Sequence, residues 1–117
     1  MEQPKQQKTG KPKLQTPTLQ RLIMKTLKSY YKNKYDFEIV YREGDTAIAK
    51  GKSRLGGDHI NWEVIKISSH NGLTMPNGVF VPPAEFPPSD NQWGVKGWTA
   101  HNETHAYELF NSKKNEN

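Results

Sequence analysis

The part of the sequence that most constrains the fold is residues 90–110, DNQWGVKGWTAHNETHAYELF, because it holds two of the three tryptophans of the chain. Trp93 and Trp98 bracket two glycines, Gly94 and Gly97. Tryptophan buries a large area, so this pair predicts the place where a small core is closed. Glycine allows the backbone to turn or to approach another group closely. The stretch is therefore predicted to close the hydrophobic core. It contains no catalytic signature.

A helix is predicted to follow the second tryptophan. Asn102 is a preferred N-cap residue, and Glu103 places a negative charge in the first turn, where the helix dipole favours it. Ala106, Leu109 and Phe110 recur at helical spacing and predict the apolar stripe of this helix. The chain then becomes polar, and we expect residues 113–117 to form a frayed tail.

The basic residues are distributed unevenly along the chain. Residues 1–35 carry nine basic groups and one acid, a net charge of +8, whereas residues 36–117 carry eight basic groups and eleven acids, a net charge of −3; together they give the formal charge of +5. Residues 1–15 contain two prolines, four lysines and almost no apolar side chains. Such a segment cannot bury enough surface to offset its loss of conformational entropy. We therefore predict a disordered basic arm over residues 1–15, followed by a single domain over residues 16–112.

The domain is predicted to begin with a helix over residues 16–32. Thr16 is a suitable N-cap, and Pro17 fits the first helical position. Apolar side chains then recur at three- and four-residue steps, at Leu19, Leu22, Ile23, Leu27 and Tyr30. This spacing is typical of an amphipathic helix.

Strands are predicted over residues 36–42, 46–50, 61–69 and 78–81. In the third strand Trp62 and Val64 lie on one face and Ile65 and Ile67 on the other, which indicates a central strand covered on both sides. Residues 92–99 either pair as a last strand or cross the sheet as a loop. The order of elements predicts an α+β fold, in which a small antiparallel sheet of three to four strands is flanked by an N-terminal and a C-terminal helix.

The sequence argues against the common enzyme classes. It has no cysteine, which excludes disulfides and thiol nucleophiles. His101, Glu103 and His105 form HNETH, but the zinc protease motif requires its glutamate directly after the first histidine. Ser68 and Ser69 precede His70, yet neighbours on a strand point to opposite faces. We therefore expect a protein that is not an enzyme and that uses no metal or other cofactor.

Nucleic acid, alone or in a ribonucleoprotein, is the partner that the charge pattern favours. Lysine and arginine neutralise phosphates and release counterions, and tyrosines lie among lysines in SYYKNKYDF, residues 29–37, where they could stack on bases. The alternatives are a solubilising arm, a solvated helix face and tyrosines that belong to the core. The candidate contacts are Lys5, Lys8, Lys11, Lys13, Arg21, Lys25, Lys28, Lys32 and Lys34, with Lys52 and Arg54 from the glycine-rich loop over residues 51–58.

One pattern of residue types runs through the C-terminal half, at Pro88, Ser89, Trp93, Gly94, Trp98, Thr99, Ala106 and Phe110. In this pattern the chain resembles a group of small uncharacterised proteins of bacteriophages and mobile elements. The pattern has no catalytic motif. The resemblance implies a phage-like accessory protein that is made in a bacterial cell.

A protein partner is the alternative to nucleic acid. The chain would then act as an inhibitor of a host defence enzyme or as a minor virion component, with Trp62, Trp93 and Trp98 as its contacts. No apolar run approaches the ~18 residues of a membrane span, and the N-terminus lacks the apolar core of a secretory signal. We therefore expect no membrane partner and a cytoplasmic location in a bacterial host.

Overall fold

The computed structural model describes residues 23–116. The described residues divide into two compact units: unit 1 comprises residues 23–25 and His70–Ala84, and unit 2 comprises Thr26–Ser69 and residues 85–116. The prediction of a single domain over residues 16–112 stays a prediction. The regular elements are β1 (Ser29–Lys32), β2 (Tyr35–Glu43), β3 (Thr46–Ser53), β4 (Ile60–Lys66), β5 (Ser68–His70), β6 (Leu73–Thr74), β7 (Phe80–Val81), β8 (Ala84–Phe86), a 3-10 turn (Asp90–Gln92), β9 (Gly97–Ala100) and α1 (Glu103–Lys113).

The fold is α+β, as predicted, and its main sheet has five strands rather than three or four. The strands lie in the order β1-β2-β3-β4-β9, and every neighbouring pair is antiparallel. Of the two alternatives for residues 92–99, a strand forms only at their C-terminal end, where β9 covers Gly97–Ala100. The predicted strand over residues 78–81 is shorter than expected, because β7 pairs only with β6 in a separate two-stranded sheet. Strands β5 and β8 form a third, two-stranded sheet.

The predicted N-terminal helix is wrong over its described part. Residues 23–28 are irregular and residues 29–32 form β1, whereas residues 16–22 lie outside the described residues. Asn33 and Lys34 join β1 to β2 with φ values of 52° and 72°, and positive φ at both positions is the geometry of a type I′ hairpin turn. Tyr30 stacks on its cross-strand neighbour Phe37, with ring centroids 5.0 Å apart. The hairpin and its aromatic pair outweigh the helical spacing of the apolar residues.

Strand β4 is buried on both faces, as its alternation predicts. Trp62 and Val64 belong to the helix-side cluster, which is completed by Ile48, Ala100, Ala106 and Phe110. Ile65 and Ile67 belong to the opposite-side cluster, which is completed by Ala47 and covered by Leu27, Tyr30, Ile39 and Trp93. The sheet therefore has one core on each side, and β4 contributes to both.

The two tryptophans of the closing stretch pack against different faces of the sheet. Trp98 packs on the helix-side cluster and Trp93 on the opposite-side cluster. Gly94 has a φ of +91° and makes a turn that a side chain would strain. Gly97 lies directly under the Trp93 ring, so a Cβ there would occupy the space of the ring. The Trp93 indole also donates its N–H to the Thr99 hydroxyl, at 3.1 Å.

Helix α1 begins as predicted. The Asn102 side chain accepts a hydrogen bond from the His105 backbone N–H, at 2.8 Å, and so caps the N-terminus. Ala106 and Phe110 are its buried residues. Within residues 23–116, no helix has the length and apolar character that crossing a bilayer requires.

A buried lysine holds the C-terminal end of α1. The Lys66 ammonium donates to the Thr46 hydroxyl at 2.7 Å and to the backbone carbonyls of Lys113 and Glu116 at 2.6 Å and 2.9 Å. These carbonyls lie at and beyond the last helical turn, where the helix supplies no further N–H donors and the dipole favours a positive charge. The Lys113 carbonyl also accepts from the Glu116 N–H, at 2.9 Å. Lys66 therefore attaches both the helix end and part of the predicted tail to β4.

An arginine fork connects Glu85 to β2. Arg42 donates two hydrogen bonds to the Glu85 carboxylate, both at 2.7 Å, and the Leu27 backbone N–H donates a third at 2.9 Å. The Arg42 hydrogen bonds, reinforced by the one from Leu27, lower the pKa of Glu85 from 4.5 to about 2. The ionised form of Glu85 is therefore more stable in the folded state than in the unfolded state.

We expect the Glu85 carboxylate to make the free energy of unfolding depend on pH in the acid range. Because the folded pKa lies below the unfolded one, the stabilisation is present above about pH 4.5 and is lost as the pH falls towards 2. The difference in free energy of unfolding between wild type and Glu85→Gln should therefore shrink over this range, as measured by urea denaturation at several pH values. Arg42→Gln should remove the same pH dependence. A difference that stays constant with pH would contradict the assignment.

Candidate nucleic-acid interface

Three of the predicted cationic residues meet at one end of the five-stranded sheet. The β1–β2 turn and the loop between β3 and β4 lie together there, because the Arg54 backbone N–H donates to the Lys34 carbonyl, at 3.0 Å. Lys52 lies on β3 directly opposite Asp36 of β2. Lys34, Lys52 and Arg54 are all exposed, and we call these three residues the cationic end.

The Arg54 guanidinium lies between a carboxylate and an aromatic ring. Its Nε is 3.0 Å and 2.9 Å from the two oxygens of Asp36, and its Nη2 is 2.8 Å from one of them. The same guanidinium lies 4.0 Å from the centroid of the exposed Tyr31 ring. The hydrogen bond from Arg54 lowers the pKa of Asp36. Both side chains are more than half exposed, at 55% and 54%, so solvent screens the pair strongly.

A shallow open face extends from the cationic end along β2 and β3. Directly paired residues of adjacent strands share a face, so Asp36 and Lys52 lie on the same side as Tyr31, followed by Glu38 and Lys50. This is the helix side of the sheet, but α1 packs mainly on β3, β4 and β9. The remaining surface is a groove of about 440 Å³, lined by Ser29, Asp36, Phe37, Glu38, Lys50, Lys52 and Ser53. With the cationic end, this region carries four cations and two carboxylates.

Lys32, in contrast, belongs to a buried ion pair. Its ammonium is 2.9 Å from a Glu63 oxygen, and the Tyr30 hydroxyl donates to the other oxygen at 2.7 Å. The Trp93 ring covers the ammonium, with 3.1 Å between Nζ and the ring centroid. The side chains of Lys32 and Glu63 are only 17% and 7% exposed. Burial, together with the negative charge of Glu63, raises the pKa of Tyr30. Lys32 therefore stabilises the opposite face of the sheet and is not part of the cationic end.

The other predicted basic contacts lie elsewhere. Lys28 and Lys25 are exposed, and Lys25 belongs to unit 1, where its backbone N–H donates to the Pro83 carbonyl. The remaining five candidates lie outside the described residues: Lys5, Lys8, Lys11, Lys13 and Arg21.

The tryptophans of the protein-binding alternative do not form one surface. Trp62 is in the helix-side cluster and only 9% exposed. Trp98 is half-buried on the same side, with the Lys113 ammonium 4.6 Å from its ring centroid. Trp93 is half-buried on the opposite side, where its ring covers the Lys32 ammonium. These indoles therefore act mainly in packing.

The histidines of HNETH contact each other. The rings of His101 and His105 are stacked with centroids 4.7 Å apart, and the His101 backbone N–H donates to Nδ1 of His105, at 3.0 Å. In the part of the chain that the structure describes, no group of three or more His, Asp or Glu side chains is placed to hold a metal ion.

Sequence reasoning missed Asp36, Glu38 and Lys50 as members of the candidate interface. The sequence predicts Asp36 only as the first residue of a strand. The hairpin turn at Asn33 and Lys34 places Tyr31 opposite Asp36, but this turn lacks the glycine that would mark it in the sequence.

Comparison of the chain with models of protein families, with curated protein sequences and with solved structures found no match.

We predict that Lys32→Met destabilises the fold by about 3 kcal/mol, because it leaves the buried Glu63 carboxylate without its cation. Lys52→Met makes the same chemical change at an exposed position of the same sheet and should alter stability by at most about 0.5 kcal/mol. Urea denaturation of the two variants and wild type measures this difference.

A second variant separates the loss of the pair from the loss of the lysine. Lys32→Met combined with Glu63→Leu removes both charges and should recover part of the lost stability. Equal stability of Lys32→Met and Lys52→Met would show that the Lys32–Glu63 pair is exposed to solvent.

Proposed function

We propose that this protein binds nucleic acid, alone or within a ribonucleoprotein, and that the cationic end of the sheet makes the main contact. The observation that carries this proposal is the meeting of Lys34, Lys52 and Arg54 beside the exposed ring of Tyr31. Cations supply affinity through the phosphates, and an aromatic face supplies stacking.

The charge of the open face is complementary to a phosphate backbone. The cationic end and Lys50 provide four positive charges, and Asp36 and Glu38 offset two of them. The exposed side chains of Lys34, Lys52 and Arg54 can change rotamer, which allows them to contact successive phosphates of a strand. Each neutralised phosphate of a single strand contributes about −0.7 to the slope of log affinity against log salt. Three or four such contacts give a slope of about −2 to −3.

We further propose that the protein acts without catalysis, as an accessory protein of a phage or mobile element in the cytoplasm of a bacterial host. The support for this origin is the pattern of the C-terminal half, from Pro88 to Phe110. The basic residues of the N-terminal region, Lys5 to Lys13 and Arg21, would add further phosphate contacts. Deletion of residues 1–15 would then weaken binding to all sequences alike.

The proposal is tested by removing charge from the cationic end. We expect Lys52→Gln combined with Arg54→Gln to reduce the salt slope by about 1.4, twice the value for one phosphate. The measurement is fluorescence anisotropy of a labelled twenty-nucleotide oligo-dT over a series of salt concentrations.

The matched control removes two charges at the other end of the sheet. Lys96 and Lys114 lie there, since the Lys96 carbonyl accepts from the Lys66 N–H and the Lys114 ammonium is 3.7 Å from Glu43. Lys96→Gln with Lys114→Gln should leave the slope close to that of wild type. Equal effects of the two double variants would indicate attraction by net charge alone and would overturn the proposed site.

Binding of a protein is a second candidate function, and the β6–β7 hairpin of unit 1 favours it. Residues 71–84 contain no Asp, Glu, Lys or Arg. Leu73, Met75 and Val79 are exposed on this hairpin. The Met75 N–H donates to the Val79 carbonyl at 2.8 Å and closes its turn. Exposed apolar side chains on an uncharged segment are typical of contacts with protein.

This second function predicts partner binding that resists salt. A partner recovered from a bacterial host extract after nuclease treatment should be retained at high salt by wild type and lost by Val79→Glu, since a charge on the hairpin opposes apolar contact. Asn77→Asp adds a negative charge at the tip without removing apolar surface and should keep the partner. Loss with both variants, or with neither, would contradict a contact through Val79.

A further inference from the structure

We infer that the Asp36 carboxylate is a built-in competitor for the phosphate at Arg54, and that the partner is a single strand whose base stacks on Tyr31. This inference rests on the proposed function. It adds the class of nucleic acid and the group that limits affinity for it.

The Asp36 carboxylate occupies the position that a phosphate would take. It presents two oxygens to the guanidinium edge of Arg54, with three nitrogen–oxygen distances between 2.8 Å and 3.0 Å. A phosphate presents the same pair of acceptors to an arginine fork. The Nε–Nη2 edge cannot serve both anions at full strength, so a phosphate that binds at this edge must displace Asp36 or share these donors with it.

The exposure of this pair makes the exchange easy. Arg54 and Asp36 are both more than half exposed, so water stabilises each group once they separate, and such pairs contribute little to stability. The Lys32–Glu63 pair is buried, and breaking it would leave a charge without solvent. Of these two ion pairs on the sheet, the Arg54–Asp36 pair is therefore the one that a ligand can open.

The ring beneath Arg54 indicates a single strand. The guanidinium lies over Tyr31 at 4.0 Å, so movement of Arg54 towards a phosphate exposes more of the ring face. A base can stack on that face only when it is not already stacked within a duplex. Lys52 lies on the neighbouring strand opposite Asp36, where it can hold the next phosphate.

Two acid-to-amide variants test the competition. Asp36→Asn and Glu38→Gln each remove one negative charge from the same face of β2, opposite Lys52 and Lys50 respectively, but the structure pairs Arg54 with Asp36. With the labelled oligo-dT at moderate salt, we expect Asp36→Asn to raise affinity about fivefold, the upper range for an exposed ion pair. Glu38→Gln should raise it less than twofold, by its general effect on charge.

A double-variant comparison shows whether the gain acts through Arg54. In an Arg54→Gln background, Asp36→Asn should raise affinity no more than Glu38→Gln does, because the competition has been removed. Equal gains from the two amide variants in the wild-type background, or a full gain without Arg54, would overturn the competition. Thermal unfolding of each variant checks that the fold is retained.

The choice of strand is tested with Tyr31→Leu. Loss of stacking should lower affinity for oligo-dT about tenfold, while affinity for a twenty-base-pair duplex should change less than twofold. Equal losses on both nucleic acids would overturn the single-strand assignment.

Failure of this inference can be distinguished from failure of the proposed function. If wild type binds oligo-dT with a salt-dependent affinity but the Asp36 and Tyr31 variants behave like their controls, this inference alone is contradicted. If wild type binds neither nucleic acid, the proposed function is overturned as well.

Discussion

The two-sided burial of β4 is the constraint on which the rest of this structure depends. A strand with apolar residues on both faces must be covered twice, and here α1 covers one side while the β1 hairpin and Trp93 cover the other. The strand also carries two buried charges, Glu63 and Lys66. Each is satisfied by the element that covers its side: Lys32 and Tyr30 bind Glu63, and the C-terminal end of α1 binds Lys66. The cover of β4 is therefore polar as well as apolar.

The burial of each basic residue determines whether it can leave its partners and contact a ligand. Lys32 lies against the buried Glu63 carboxylate, and the buried Lys66 ammonium donates to Thr46 and to the carbonyls at the end of α1, so neither lysine can leave its partners without a large cost. The exposed cations at the other end of the sheet can leave their partners at little cost in free energy, because water then solvates them. Burial, rather than position in the sequence, thus decides that Lys52 and Arg54 are better candidates for phosphate contact than Lys32.

The elements that sequence alone could predict are those whose signals are local. The alternation around Trp62 predicts the two-sided strand, and Asn102 predicts the start of α1 through its own capping hydrogen bond. The β1 hairpin could not be predicted in this way. Its turn, Asn33-Lys34, lacks the glycine that usually marks positive φ at both positions, and Leu27 and Tyr30 fall at helical spacing although both cover the sheet. Packing against the sheet, rather than local helical spacing, determines the conformation of Leu27 and Tyr30.

The sequence predicts Lys34, Lys52 and Arg54 as candidate contacts, but their arrangement around Tyr31 and Asp36 could not be predicted, for the same reason. Whether Tyr31 faces Asp36 depends on the register that the Asn33-Lys34 turn imposes, and a shift by one residue would move Tyr31 to the opposite face of the sheet. That register also places Tyr30 on Glu63 and Lys32 under Trp93. One turn therefore sets the buried ion pair on one face and the exposed Arg54–Asp36 pair on the other, so the packing of β1 and the candidate binding site are consequences of a single local geometry.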